Sequence, residues 1–183
     1  DKKKYQKARK LKEHIEGIRR DYLQKMLSDD PVARQLGVCT YLIDKLALRV
    51  GNEKGEEEAD TVGCCSLRVE HISLDAEGHV TFDFLGKDSM RYFNTVKVEP
   101  VVFECLKQFV MGKSDKDDLF DRINPARLNE YLKSHMDHLS AKVFRTYNAS
   151  ITLQNELVGK DKEIKEDAPV EEKKNFYDQC NRQ

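Results

Sequence analysis

The chain has 183 residues, with 32 Lys+Arg against 33 Asp+Glu, a formal net charge of -1 and no Trp. That length suits one domain with a buried core, and four Pro and nine Gly exclude a collagen-like or Pro/Gly-rich disordered chain. No apolar run approaches the ~20 residues that span a bilayer, the opening DKKKYQKARK lacks the apolar stretch of a secretory signal, and a pI near 6.6 gives no bulk basic footprint for nucleic acid.

The neutral total conceals segregated charge. Residues 1–20 hold nine Lys/Arg against three acids, whereas 53–60 and 161–172 each carry a net -4. Both acidic runs are read as solvated faces or loops. Cys39, Cys64, Cys65, Cys105 and Cys180 are odd in number and irregularly spaced, which predicts reduced thiols of a cytosolic or nuclear protein.

In chain order, Tyr5, Ala8, Leu11, Ile15, Ile18, Tyr22 and Met26 recur at steps of three and four and predict an amphipathic first helix. Asp30-Pro31 caps a second helix through Leu36, Cys39, Leu42, Ile43 and Leu46, expected to deliver Arg49 at its end. Residues 51–63 read as a polar loop. Alternation at Leu67 and Val69, at Val80, Phe82 and Phe84, and across Met90 to Val96 predicts a three-stranded antiparallel meander, with turns at Gly78 and at Gly86-Lys87-Asp88-Ser89. Pro100, Asn124-Pro125 and Ser140 open three further helices. After Gly159 the chain turns acidic, and Pro169 reads as the start of a last helix. There are no internal repeats. The fold class is α+β, mainly helical, with a small three-stranded sheet.

Phosphate-loop, dinucleotide, zinc-protease and nucleophile-elbow signatures are absent. His135 and His138 read as surface histidines near a helix end, and the acidic loop 53–60 lacks calcium-hand spacing, so no metal or other cofactor is expected. Three cations stand out by context: Arg49 before the Gly51-Asn52 turn, Lys87 at a hairpin tip, and Arg145 on the helix from Ser140. At 100° per residue Lys142, Arg145, Thr146 and Ala149 share a face, while Val143, Phe144, Tyr147 and Ile151 fall on the other. Such a face admits a phosphate. Each of these cations taken alone reads as an ordinary surface residue.

The strings LIDKLALRVGNEK (42–54), ADTVGCCSLRVEHI (59–72), FDFLGKDSMRYFN (82–94) and AKVFRTYNAS (141–150) closely resemble the core of eukaryotic type IB DNA topoisomerases. The opening KYQKARKLKEHIEGIRRDY is similar too, and the likeness runs with gaps from Lys4 to Leu157. The resemblance implies a fold like that of the DNA breaking-rejoining enzymes and a nuclear enzyme that relaxes supercoiled duplex DNA without ATP or metal. A tyrosine cuts one strand, becomes linked to its 3′-phosphate, and is displaced when the 5′-hydroxyl reseals the break. By resemblance, Arg49 and Arg145 bind the non-bridging oxygens of the scissile phosphate. Lys87 enters the minor groove as general acid, a role that suits a lysine because its reference pKa near 10.4 keeps it protonated at neutral pH. DNA contacts are implied for Asn52, Lys54, Thr61, Asp88 and Lys142.

Two departures carry expectations. Residues 146–183 contain no histidine, and Lys174-Asn175-Phe176-Tyr177 only faintly mimics the surroundings of the family's nucleophile. Residues 1–158 are therefore expected to be a catalytic core subdomain and 159–183 an acidic linker with the start of a helix. The histidine, the tyrosine and a clamp lobe are expected in other segments or a second subunit, leaving this stretch inactive by itself. A tyrosine recombinase-like domain and a non-catalytic DNA-binding module are the rival readings.

Overall fold

The computed structural model describes residues 2–51 and 60–165, with side chains as far as residue 153. Helix α1 spans Lys2–Met26 and α2 spans Pro31–Leu46; a short antiparallel sheet follows, of β1 (Ile72–Leu74), β2 (His79–Leu85) and β3 (Arg91–Lys97) in that spatial order. Then come α3 (Pro100–Val110), α4 (Pro125–His135) and α5 (Ala141–Lys165). The fold is α+β and mainly helical, and none of the described helices is long and apolar enough to cross a membrane.

The local chemistry explains the boundaries. Asp30 Oδ1 accepts from the Val32 N–H at 3.0 Å with Pro31 in the first turn, and Asn124 Oδ1 accepts from the Arg127 N–H at 2.8 Å ahead of Pro125. Each cap satisfies a donor that the first helical turn leaves unpaired. The stripe of α1 from Ala8 to Met26 is buried, but Tyr5 at its start is 51 % exposed. Gly37 lets α2 lie directly on α1: a Cβ there would come within 2.6 Å of Tyr22 O. Leu11, Leu42, Leu106, Leu128 and Phe144 are fully enclosed in the shared core, each such side chain contributing about 1.5–3 kcal/mol of transfer free energy. Val80, Phe82 and Phe84 turn inward from β2, as the strand's period of two requires.

Buried between α2 and the loop before the sheet are three thiols. Cys39 Sγ lies 3.0 Å from Cys64 Sγ and 3.8 Å from Cys65 Sγ, and these cysteines and Cys105 are free and buried. Cys180 lies outside the described residues.

Three expectations need correction. First, α2 stops at Leu46 and does not deliver Arg49. Ala47 takes a left-handed conformation (φ 56°), so Arg49 sits beyond the helix on a segment that is neither helix nor strand. Second, Leu67 to Glu70 do not form a strand. The Arg68 N–H is captured by His71 Nδ1 at 2.9 Å, while the Val69 and Glu70 amides donate to the carbonyls of Asp117 and Asp115. A 3-10 turn at Val69–His71 results, and β1 begins only at Ile72. Third, Thr146 is buried and its hydroxyl donates to Lys142 O at 3.1 Å, so it offers nothing to an open helix face.

Candidate active site

Arg49 is held by its backbone. The Cys64 N–H donates to Arg49 O at 2.7 Å and the Cys65 N–H to Val50 O at 2.8 Å, laying residues 49–50 alongside 64–65. Just upstream, the Val62 N–H donates to Leu85 O at 2.8 Å, which ties the same loop to the end of β2. From Leu85 the chain passes through Gly86, whose amide donates to Met90 O, into the turn that carries Lys87. One short run of backbone hydrogen bonds thus links the segment of Arg49 to the hairpin of Lys87.

Between them opens a cleft of ≈ 310 Å³, with Arg49 on one side, Lys87 and Asp88 at the hairpin tip, and Leu48, Val62 and Phe84 along its floor. Asp88 and Ser89 both adopt left-handed backbone conformations (φ 61° and 57°), which sharpens the tip. Arg91 and Tyr92 also line the cleft and had no distinguishing pattern in the sequence. Arg91 makes a two-pronged pair with Asp83, at 2.9 and 3.0 Å, and its charge is thereby taken up.

Arg145 lies on α5 and does not itself line that cleft. Partial burial and then the charge of Arg49 hold its guanidinium below the ordinary arginine value. The two cations are therefore electrostatic neighbours although 96 positions separate them in sequence. Three arginines elsewhere are neutralised: Arg19 by Asp44, Arg68 by Asp60 and Glu70, Arg91 by Asp83. The side chains of Arg49, Lys87, Lys142 and Arg145 have no hydrogen-bond or ion-pair partner among the described residues. Two guanidiniums within electrostatic reach of each other repel, and an anion seated between them would reverse that cost. Planar guanidiniums suit a phosphate in particular, because each can grip two of its oxygens.

Of the remaining sequence-predicted residues, Lys142 is exposed one turn before Arg145, and Thr61 is half-buried next to Val62. Asn52 and Lys54 lie outside the described residues, as do residues 53–59 of the first acidic run and Tyr177. His135 is not a free surface histidine: its Nε2 lies 3.1 Å from Asp21 Oδ2 and its ring meets Tyr131 edge-on. A larger groove of ≈ 450 Å³ runs between α1 and α5 and is lined by Arg9 and Lys12, but none of the sequence-predicted residues reaches it.

The family model for the catalytic core of eukaryotic DNA topoisomerase I matches residues 1–183. The chain belongs to that family. It is 54 % identical over its whole length to DNA topoisomerase 1 of Schizosaccharomyces pombe and 53 % identical to DNA topoisomerase 1 beta of Arabidopsis thaliana. Over 151 residues it is 58 % identical to DNA topoisomerase 1 of Daucus carota, covering 82 % of this chain. It spans only about a fifth of the length of these relatives, 22 %, 20 % and 19 % respectively. The 183 residues are thus part of a topoisomerase I catalytic core.

Proposed function

We propose that this chain is the phosphate-clamping part of a nuclear type IB DNA topoisomerase, which relaxes supercoiled duplex DNA through a transient 3′-phosphotyrosine. The observation that carries this reading is the cleft that Arg49 shares with Lys87, with Arg145 within electrostatic reach of Arg49 and neither arginine paired with an acid among the described residues. In the proposed step a tyrosine hydroxyl gives its proton to solvent and its oxygen bonds to the scissile phosphorus while the bond to the 5′-oxygen breaks. Arg49 and Arg145 stabilise the added negative charge on the non-bridging oxygens, and Lys87 gives its proton to the departing 5′-oxygen. Resealing runs the same path backwards: the 5′-hydroxyl attacks, returns its proton to Lys87 and releases the tyrosine.

Asp88, Thr61 and Lys142, together with Asn52 and Lys54, are assigned to DNA contact. Residues 1–158 form the core part in this reading and 159–183 a linker, with α5 continuing through that boundary to Lys165. The nucleophilic tyrosine, a histidine and a clamp lobe come from polypeptide outside the 183 residues, on the same chain or on a second subunit.

Plasmid relaxation tests the reading. The intact protein is expected to relax supercoiled plasmid in EDTA without ATP, whereas residues 1–183 alone leave the topoisomers unchanged. A covalent 3′-linked DNA adduct on residues 1–183 would overturn the assignment and make Tyr177 the nucleophile. Strand exchange between two duplexes would indicate a recombinase, and salt-sensitive DNA binding without any adduct from the intact protein would indicate a binding module.

A further inference from the structure

Two like charges held as neighbours need a mechanical restraint, and the structure contains one that touches neither. Asp44 lies in the last turn of α2, where the final four carbonyls have no partner within the helix. Its carbonyl oxygen accepts a hydrogen bond from Asn148 Nδ2 at 2.7 Å. Asn148 is three residues beyond Arg145 on α5, and Asp44 is five residues before Arg49. The same Asp44 is anchored on its other side to α1. Its fully buried carboxylate accepts from Arg19 Nε at 2.9 Å, from Arg19 Nη2 at 3.2 Å and from the Tyr22 hydroxyl at 2.6 Å. One residue of α2 is thereby fastened by its side chain to α1 and by its main chain to α5.

We propose that Asn148 is a positioning residue for the phosphate-binding arginines: its hydrogen bond to Asp44 O seats α5 against the end of α2 and so sets the separation of Arg145 from Arg49. The proposal rests on the phosphate-clamp reading above. Without this bond side-chain packing, such as that of the buried Val143 and Phe144, is left to oppose the repulsion between the two guanidiniums, and α5 shifts outward by a distance small for the fold and large for chemistry. A displacement of ~1 Å at a reacting centre can cost roughly 10²-fold in rate.

The experiment is single-turnover cleavage of a DNA duplex by the intact protein, with Asn148→Ala, Asn148→Leu, Arg145→Ala and Lys87→Ala variants and the two double variants of Asn148→Ala. Asn148→Ala is expected to slow cleavage by about 10- to 100-fold while DNA affinity changes by less than about threefold. Asn148→Leu, which keeps the bulk but not the donor, is expected to match alanine. In the Arg145→Ala background the Asn148 effect should vanish, whereas in the Lys87→Ala background it should persist, since coupling is confined to residues that act as a unit. Recovery of the native rate by leucine would show that packing alone is needed and overturn the proposal, as would equal effects of Asn148→Ala in both backgrounds. Should alanine fail to fold, the leucine variant and its two double variants make the same comparison. If Arg145→Ala itself cleaves normally, the phosphate-clamp reading fails; if it is slow but Asn148→Ala is not, only the positioning role fails.

Discussion

Gly51 and Gly63 meet backbone to backbone: a Cβ on Gly63 would lie 2.3 Å from both the Cα and the amide nitrogen of Gly51. Gly51 itself has φ +90°, a conformation that side chains disfavour. This contact lies between the segment carrying Arg49 and the loop whose amides hold it. A methyl group there must displace backbone, since no flexible side chain is in the way. Gly63→Ala is accordingly expected to destabilise the protein by about 1–3 kcal/mol, the usual cost of overpacking. It should also slow cleavage more than its loss of stability accounts for. Urea midpoints alongside cleavage rates under strongly folding conditions check both halves; a native rate would detach this contact from the site.

The arginines are expected to tolerate no conservative exchange. Arg145→Ala, Arg49→Ala and Lys87→Ala should each reduce the cleavage rate of the intact protein by about 10²-fold or more, the scale for removing one donor from a charge-stabilising site. Arg145→Lys keeps the charge but loses the planar fork, and should stay well below the native rate. Oligonucleotide cleavage measures each, with circular dichroism showing that the fold persists.

Asp44 offers a test read as stability rather than as rate. Its carboxylate is fully buried, whereas its partner Arg19 keeps 27 % of its side-chain exposure. That exposure reduces the penalty of leaving Arg19 unpaired. Asp44→Ala is therefore expected to cost about 2–3 kcal/mol, below the 3–5 of a fully enclosed pair. Tyr22→Phe, which removes one bond to a charged acceptor, should cost about 1.5 kcal/mol. Chemical denaturation of the two variants and of the double variant measures both, and the two losses should not add.

His71 gives a pH dependence with a definite sign. Burial first, and then the charge of Arg68, lower its affinity for protons below the ordinary value of 6.5. In the fold its Nδ1 accepts from the Arg68 N–H, a role open only to the neutral ring. The unfolded chain therefore takes up the proton first as pH falls. Stability is full above pH 6.5 and declines below it, until the native ring is protonated as well, by at most about 1.4 kcal/mol per pH unit. Thermal unfolding between pH 7.5 and 5 should show that slope, and His71→Gln, whose side-chain oxygen does not titrate, should flatten it.

The helices were legible because their signals are local. Asp30-Pro31 and Asn124-Pro125 mark helix starts through atoms within three residues, and the stripe of α1 needs only its own spacing. The misreadings fall where a distant partner or an unannounced backbone turn decides. Alternation at Leu67 to Glu70 suggested a strand, but carbonyls of Asp115 and Asp117, some 45 residues onward, take the amides that a strand would have used. The end of α2 is set by Ala47 in a left-handed conformation, with no glycine to announce it. Arg49, Lys87 and Arg145 stood out in the sequence by context, but only family resemblance suggested their roles, since each alone is a common surface cation. Asn148 carried no signal at all, because its role is defined by a carbonyl 104 positions away.

The three buried thiols acquire a further meaning from what Cys64 does with its backbone. Its sulfur is lodged against Cys39 of α2 in the interior while its amide grips the carbonyl of Arg49. A single residue therefore spans from hydrocarbon core to reactive edge within one peptide unit. Variants that loosen the interior at Cys39 should behave as temperature-sensitive enzymes, losing turnover on warming before the polypeptide as a whole melts.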